Sequence, residues 1–238
     1  MTGTLLNVAS ILIGGTLGTL LGAKIPEKLR QTVVIGLGLY TFAYGISLFV
    51  KTENAIIVVL SVLVGILLGE WWNIENGLNN LAVWLEKTLI KSKDEGNQKR
   101  FVRGFLMASL LFCVGPVAIL GSVQDGLTGD YQLLVVKSIL DGFASLAFSA
   151  SMGVGVIFSA IPILIYQGGI TLLAAQAQSV FSTSMITEMS ATGGILLLAI
   201  SMGGLLEIKP IRSANFLPAL ILAPLFVAIL SWLKISFP

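Results

Sequence analysis

The chain has 238 residues, of which 55% are hydrophobic and 11% charged, against roughly a quarter charged in soluble domains. That balance excludes an ordinary soluble domain, and a net charge of +2 with no basic stripe excludes a nucleic-acid surface. With no histidine and one cysteine, Cys113, there is no disulfide framework, no zinc site to expect and no cofactor implied.

Lipid is the solvent this composition fits. A bilayer core of about 30 Å takes about 20 apolar residues per helix, and such runs fall near 4–22, 31–50, 54–72, 104–122, 132–158, 161–178, 189–206 and 214–233. The fold class is therefore all-α, a polytopic transmembrane bundle of about eight spans forming a single membrane domain over 1–238. The first run lacks the charged lead and small-residue cleavage site of a secretory signal, so it reads as a retained helix. Gly14, Gly18 and Gly22 repeat every four residues along it, as Gly65 and Gly69 do in the third run, and Gly153–Gly155 adds further small residues. Such faces let helices approach closely, within the chain or in a homo-oligomer.

After the third run, Ile74, Leu78, Leu81, Ala82, Leu85 and Leu89 recur at helical spacing opposite Asn76, Asn79, Asn80, Glu86 and Lys87. This predicts an amphipathic interfacial helix over 74–90, anchored by Trp71, Trp72 and Trp84 at headgroup level. A basic loop over 91–103 follows it. In the fourth run Gly115-Pro116 breaks the helix, because proline lacks a backbone donor and clashes with the preceding turn. Irregular backbone at membrane depth is tolerated only inside protein or along a cavity, so this segment is either a substrate or ion site or a packing kink. The turn GSVQDGLTGD after it, with Asp125 and Asp130, reads as a cation-collecting entrance or as a plain solvated loop.

The fifth run carries the strongest signal. Lys137 and Asp141 lie four apart on one helix face, about 9 and 15 Å along it from Tyr131. Each costs at least about 2.5 kcal/mol to insert there. Two readings stand: a structural ion pair, or a functional site in which Asp141 exchanges a proton or binds a cation while Lys137 modulates its charge. In the sixth run Tyr166, Gln167, Gly168 and Gly169 form a polar, flexible patch, followed by Gln176 and Gln178; buried amides need partners, whether a solute or another helix. The junction of these two runs, around Ser159–Pro162, carries no charge, so they are two full spans or a re-entrant pair. Glu70 and Glu207 sit at span ends, and Pro218 and Pro224 should bend the last span.

Lysine and arginine favour cytoplasmic loops. Lys24, Lys28 and Arg30, the basic segment from Lys87 to Arg103, and Lys209 with Arg212 all fall on one side of an eight-span alternation. Both termini are then outside the cytoplasm. The strings GTLLGAK at 18–24 and GGLLEIK at 203–209 share a faint similarity, each ending a span before a basic loop. No catalytic constellation is present: there is no histidine for a Ser-His or Cys-His arrangement and no phosphate loop. Asp130 and Asp141 do not form an intramembrane aspartyl protease pair, since the local sequence is Gly-Leu-Thr-Gly-Asp where that family has Gly-x-Gly-Asp.

The run from Gly115 to Thr171, with GPVAILGSVQDGLTGD, KSILDGFASLAF and YQGGIT, resembles the YdfK/YqgA-like family of bacterial inner-membrane proteins, as does the opening GTLLNVASILIGGTLGTLLG. The resemblance covers essentially the whole chain. It implies a multi-pass protein of the bacterial inner membrane in a family of unknown function commonly taken for transporters, with no established catalytic or binding residues. The matching positions are Lys137, Asp141, Gly142, Tyr166, Gln167 and Gly168. The expectation is a transporter of a small solute or ion with a polar pathway around Asp141, Lys137, Tyr166, Gln167, Gly115, Pro116, Asp125 and Asp130. It has no catalytic residue, no metal and no partner beyond the lipid bilayer and that solute. A passive channel is the first alternative. A non-transporting scaffold, marked by a sealed Lys137–Asp141 pair and large exposed glycine faces, is the second.

Overall fold

A helix in lipid gains nothing by hiding leucine, so the residues that meet other helices are those that let backbones approach or that hydrogen-bond. The computed structural model, which describes residues 1–22, 26–90, 95–174 and 181–233, follows that rule. In α1 (Thr2–Gly22) the buried residues are Gly3, Thr4, Asn7, Ile11, Gly14, Gly15, Gly18 and Gly22, while Leu5, Ile13, Leu17 and Leu20 point outward. The helices α2 (Glu27–Phe49), α3 (Ala55–Trp72), α4 (Ile74–Leu85), α5 (Glu95–Cys113), α6 (Pro116–Thr128), α7 (Gln132–Met152), α8 (Ala160–Leu172), α9 (Thr183–Ile200) and α10 (Leu217–Trp232) follow. Seven stretches are long and apolar enough to cross a bilayer, and α5 with α6, bent by 63°, makes an eighth as one broken span. The chain is a polytopic helical membrane bundle.

Contacts divide it into two units: Met1–Leu37 with Leu78–Cys113 and Val117–Ala177, and Gly38–Gly77 with Val114–Pro116 and Gln178–Pro238. In the first unit α1 lies on α7, with Gly14 against the carbonyl of Gly142, Gly18 against that of Leu146 and Gly22 against that of Ala150. A Cβ at Gly14 or Gly18 would fall 2.1 Å from those oxygens. The matching order makes α1 and α7 parallel. Thr4 meets Thr171 and Asn7 meets Gln167, so α1 and α8 are antiparallel.

In the second unit Gly65 and Gly69 of α3 pack on Ala219 and Asn215, which makes α3 and α10 antiparallel. Gly45 faces Gly194, and the Ser201 hydroxyl donates to the carbonyl of Gly38 at 2.6 Å, setting α2 antiparallel to α9 and the turn after it. Each of these directions is the one an eight-span alternation requires. The glycine stripes at 14–22 and 65–69 are thus covered by helices of the chain itself, and Gly155 by the carbonyl of Phe101.

Several boundaries differ from the sequence reading. The basic stretch expected as a loop to residue 103 is helical from Glu95; its charges extend α5 rather than end it, with the Arg100 guanidinium donating to the carbonyl of Ser151 at 2.8 Å. Residues 91–94 of that loop lie outside the described residues, as do Ala23, Lys24, Gln176 and Gln178. The uncharged junction lies not at Ser159–Pro162 but at Gly153, whose φ of 85° is a left-handed value that glycine takes without strain. A 3-10 turn over Val154–Ser159 then leads into α8. Helix α6 runs to Thr128, so Asp125 is helical and not part of a solvated turn. Helix α9 starts at Thr183, capped by Ser182, which places Glu188 inside it. Pro218 sits in the first turn of α10, where a missing N–H costs nothing, so Pro224 is the proline in its interior.

The interfacial helix forms as α4 followed by a π-helical turn over Glu86–Ile90. Its Ala82 and Leu85 pack against Phe101, Phe105 and Leu106, while Leu81 and Trp84 remain exposed.

Candidate functional site

Asp141 is the tenth of the 21 residues of α7, half-way along a bilayer-length helix. Its carboxylate is in close contact with the ammonium of Lys137, one helical turn away, and both side chains are buried. The Lys137 ammonium also donates to the backbone carbonyl of Phe112 at 2.9 Å. In an unbroken helix that carbonyl would accept from the N–H of residue 116, which is a proline and has none. Gly115, with φ 129°, completes the break. The side-chain cation therefore satisfies an oxygen that the sequence leaves without its helical partner.

The other face of Asp141 is occupied by α1. Asn7 donates through Nδ2 to Asp141 Oδ2 at 3.0 Å and to Gln167 Oε1 at 3.1 Å. Gln167 Nε2 reaches the Thr4 hydroxyl at 3.5 Å, Thr4 and Thr171 hydroxyls are 3.2 Å apart, and Thr171 donates to the carbonyl of Gln167 at 2.9 Å. A hydroxyl has one proton to give; Thr171 spends its own on that carbonyl, so Thr4 is the donor between the two threonines. The result is a polar ladder from Asp141 along α1 and α8, with Asn7 and Gln167 both 0% exposed. Asn7 Oδ1 has no hydrogen-bond partner among the described residues. The amide is fixed in this orientation because its Nδ2 faces two acceptors, and a flip would set oxygen against a carboxylate.

The predicted residues thus separate. Lys137, Asp141 and Gln167 converge, and the break at Gly115 and Pro116 supplies the carbonyl that Lys137 holds. Tyr166 is half-buried on α8 and forms no hydrogen bond among the described residues. Asp125 is buried and accepts from the Gly3 N–H and the Met1 amino group, both at 3.0 Å, which ties the start of α1 to α6. It is no entrance. Asp130 does lie in the turn, where it accepts from the Gln132 N–H at 3.0 Å and from Gln124 at 2.7 Å, steadying the start of α7. Asn7 and Thr4 were missed, although both share the helical face of Gly14, Gly18 and Gly22 and could have been found by projecting that stripe toward the N-terminus.

A second buried acid was also missed. Glu188 in the second unit is 1% exposed and accepts from the Thr52 hydroxyl at 2.6 Å and the N–H groups of Glu53 and Asn54 at 2.8 and 3.0 Å. Its carboxylate is used in folding the loop between α2 and α3. At the far end of α3, Glu70 pairs with Arg212 at 2.8 Å. Nearby, Glu75 accepts from the Ala214 N–H at 2.9 Å; burial pushes its carboxyl above the ordinary glutamate range, against the lowering effect of that hydrogen bond and of Arg212. Among the described residues no group of three metal-ligating side chains converges.

A family described as protein of unknown function (DUF554) matches residues 2–228. The uncharacterized protein YqgA of Escherichia coli (strain K12) is 35% identical over 97% of this chain and 98% of its own length. The uncharacterized membrane protein YdfK of Bacillus subtilis (strain 168) is 28% identical over the whole of both chains. No solved structure matches. The chain, similar to YqgA and YdfK from end to end, belongs to the DUF554 family.

Proposed function

We propose that the protein is a transporter of a small solute or ion in the bacterial inner membrane, with no enzymatic activity, and that Asp141, Lys137, Asn7 and Gln167 form its central site. The observation that carries this reading is a buried, net-neutral ion pair at mid-span beside a fully buried amide oxygen that has no partner among the described residues. Ionisable groups at that depth are expensive, and a pair serving packing alone would be expected beside satisfied neighbours. A solute or cation bringing its own donor or charge would satisfy Asn7 Oδ1 and compete with Lys137 for Asp141. The closed pair then corresponds to an occluded centre. The three basic segments face the cytoplasm and both termini face outward, in line with the alternating helix directions within each unit.

The scaffold reading shares the sealed pair but also needs large exposed glycine faces, and the stripes at 14–22 and 65–69 are covered within the chain. The test is current or uptake in proteoliposomes across a panel of ions, amino acids and small organic acids. Wild type is compared with Asp141→Asn and Asn7→Leu at several pH values. A wild-type signal that both substitutions abolish supports the reading. An Asp141→Asn protein with every activity and its pH dependence intact refutes the coupling role.

A further inference from the structure

The uncommitted oxygens of the central site say which ion it takes. Both hydrogen bonds to the Asp141 carboxylate, from Lys137 and from Asn7, fall on Oδ2. Oδ1 accepts none among the described residues. The Asn7 amide donates to that same Oδ2 at 3.0 Å and leaves its own Oδ1 without a partner among the described residues. We infer that the ion bound here is a proton, taken up on Asp141 Oδ1 and shared with Asn7 Oδ1, so that acid and amide close a two-bond ring and Lys137 loses its counter-charge. This rests on the central-site reading proposed above and names its ion.

The chemistry is that of a carboxylic acid facing a primary amide, each with one donor and one acceptor side by side. The bond from Asn7 Nδ2 to Asp141 Oδ2 is already half of that ring. A carboxylate cannot form the other half, because the two remaining oxygens are both acceptors. One proton on Oδ1 turns the clash into an O–H donating to a carbonyl. It comes from water, one O–H bond forms on Asp141 and no electron moves. The second N–H of Asn7 is held by Gln167 Oε1 at 3.1 Å, which keeps the amide oxygen on the side of the acid. The rotation left to Asp141 is soft, since χ2 of aspartate has a broad, roughly two-fold profile. Lys137 keeps the Phe112 carbonyl at 2.9 Å, and the site passes from neutral to singly positive.

A metal cation fits less well. Calcium and magnesium take about six oxygens or more, whereas Asn7 and Asp141 offer one uncommitted side-chain oxygen each, and two suffice for a proton. Asn7 is 0% exposed while the Asp141 side chain is 12% exposed, so the proton arrives on the carboxylate. A hydrated ion would reach the amide only by parting α1 from α7, which Gly14 and Gly18 hold at backbone contact. The other titratable groups around the pair are Lys137 on the same helix, the Cys113 thiol of α5, which feels both charges, and beyond it Tyr166 of α8. Helix α1 brings no titratable side chain, and the Met1 amino group before it is paired with Asp125 of α6.

The test is pH-difference infrared spectroscopy of the full-length protein in lipid, with asparagine isotope-labelled in its side-chain carbonyl. Among the carboxyl C=O bands that acidification produces, one should appear together with a downward shift of a labelled amide C=O band, as expected of a carbonyl that gains a donor. Asp141→Asn, which keeps the shape, should abolish that band and the amide shift together. Asn7→Leu should abolish the amide shift and move the Asp141 band upward, because the acid loses the N–H on its own carbonyl. Replacing an inert salt by sodium, potassium or magnesium chloride at constant ionic strength should leave the titration unchanged. The inference is overturned if Asp141→Asn removes no carboxyl band at any pH at which the protein stays folded, if no amide shift accompanies acidification, or if one of the metal ions displaces the band. Wild type alone decides the last two, so a substitution that fails to fold does not shelter the inference. No transport is measured: a protein silent in proteoliposomes that shows both bands sinks the transport reading and leaves the proton assignment, and a transporter lacking them does the reverse.

Discussion

Removing Lys137 while keeping Asp141 tests the central pair most sharply. In Lys137→Met the Asp141 carboxylate, 8% exposed, keeps the Asn7 amide but loses its counter-charge, and the Phe112 carbonyl loses its donor. Breaking a buried pair on one side costs about 3–5 kcal/mol. An interhelical hydrogen bond in lipid adds about 1 kcal/mol, so the single substitution should cost about 4–6 kcal/mol. Asp141→Leu strands an ammonium instead and should cost about 3–5 kcal/mol for the same reason. The double substitution removes both charges and leaves only the Phe112 carbonyl and the Asn7 amide short of partners, a loss of about 1–2 kcal/mol. The cycle should therefore be strongly non-additive, with a coupling of several kcal/mol. Reversible unfolding of the purified protein in mixed micelles, titrated with a denaturing detergent, measures all three. Single losses below about 1 kcal/mol, or additivity within about 0.5 kcal/mol, would mean a solvated pair and would sink the reasoning.

Two further outcomes follow from packing and burial. Gly18→Val should lower stability by about 3 kcal/mol or prevent folding, because its Cβ would fall 2.1 Å from a backbone oxygen that cannot swing aside, whereas Gly36→Ala, with nothing within 4 Å, should be neutral or stabilising by up to about 1 kcal/mol in the same unfolding assay. For Glu75, whose folded-state pKa is raised mainly by burial, the folded protein holds its proton more tightly than the unfolded chain does. Stability should then fall as pH rises through the ordinary value of 4.5 toward the raised one, and Glu75→Gln, which keeps an acceptor for the Ala214 N–H, should remove that part of the slope in a pH series of thermal unfolding.

The fold was legible wherever hydropathy alone decides it. Apolar runs of bilayer length gave the spans, the 3.6-residue pattern gave the interfacial helix, and Gly115-Pro116 gave the break in the fourth span. Boundaries failed where a helix carries charge or where backbone geometry, not composition, ends it. The charges at Lys99, Arg100 and Arg103 concealed two turns of α5, since a hydropathy reading treats a charged stretch as loop while the backbone hydrogen bonds continue through it. Glu188 concealed the start of α9 in the same way. Gly153 ends α7 through its φ, which nothing in a run of small residues distinguishes from Gly155, a glycine needed instead for close approach to Phe101. The division into two units rests on which distant helix each small-residue stripe meets, and one sequence does not say which stripes match.

For the central site, local spacing revealed half and tertiary pairing the rest. Lys137 and Asp141 declared themselves because four residues is one helical turn and both are charged. Asn7 is uncharged and near a chain end, so its insertion cost draws no attention; its importance comes only from α1 lying parallel to α7, which brings it within 3.0 Å of Asp141. Asp125 shows the converse. A carboxylate between glycines looks like a solvated turn, yet it is 5% exposed and holds the first turn of α1 through the Gly3 N–H. That bond helps place Asn7 as well, because α1 carries both residues on one buried face and Gly3 and Asn7 are one turn apart. The central pair is therefore positioned from two directions: the orphaned carbonyl at the proline break draws Lys137, and the anchored start of α1 delivers the amide to Asp141. Under the transport we propose, a species competing for Asp141 works against both, and the pair opens by movement of the α5–α6 break or of the start of α1.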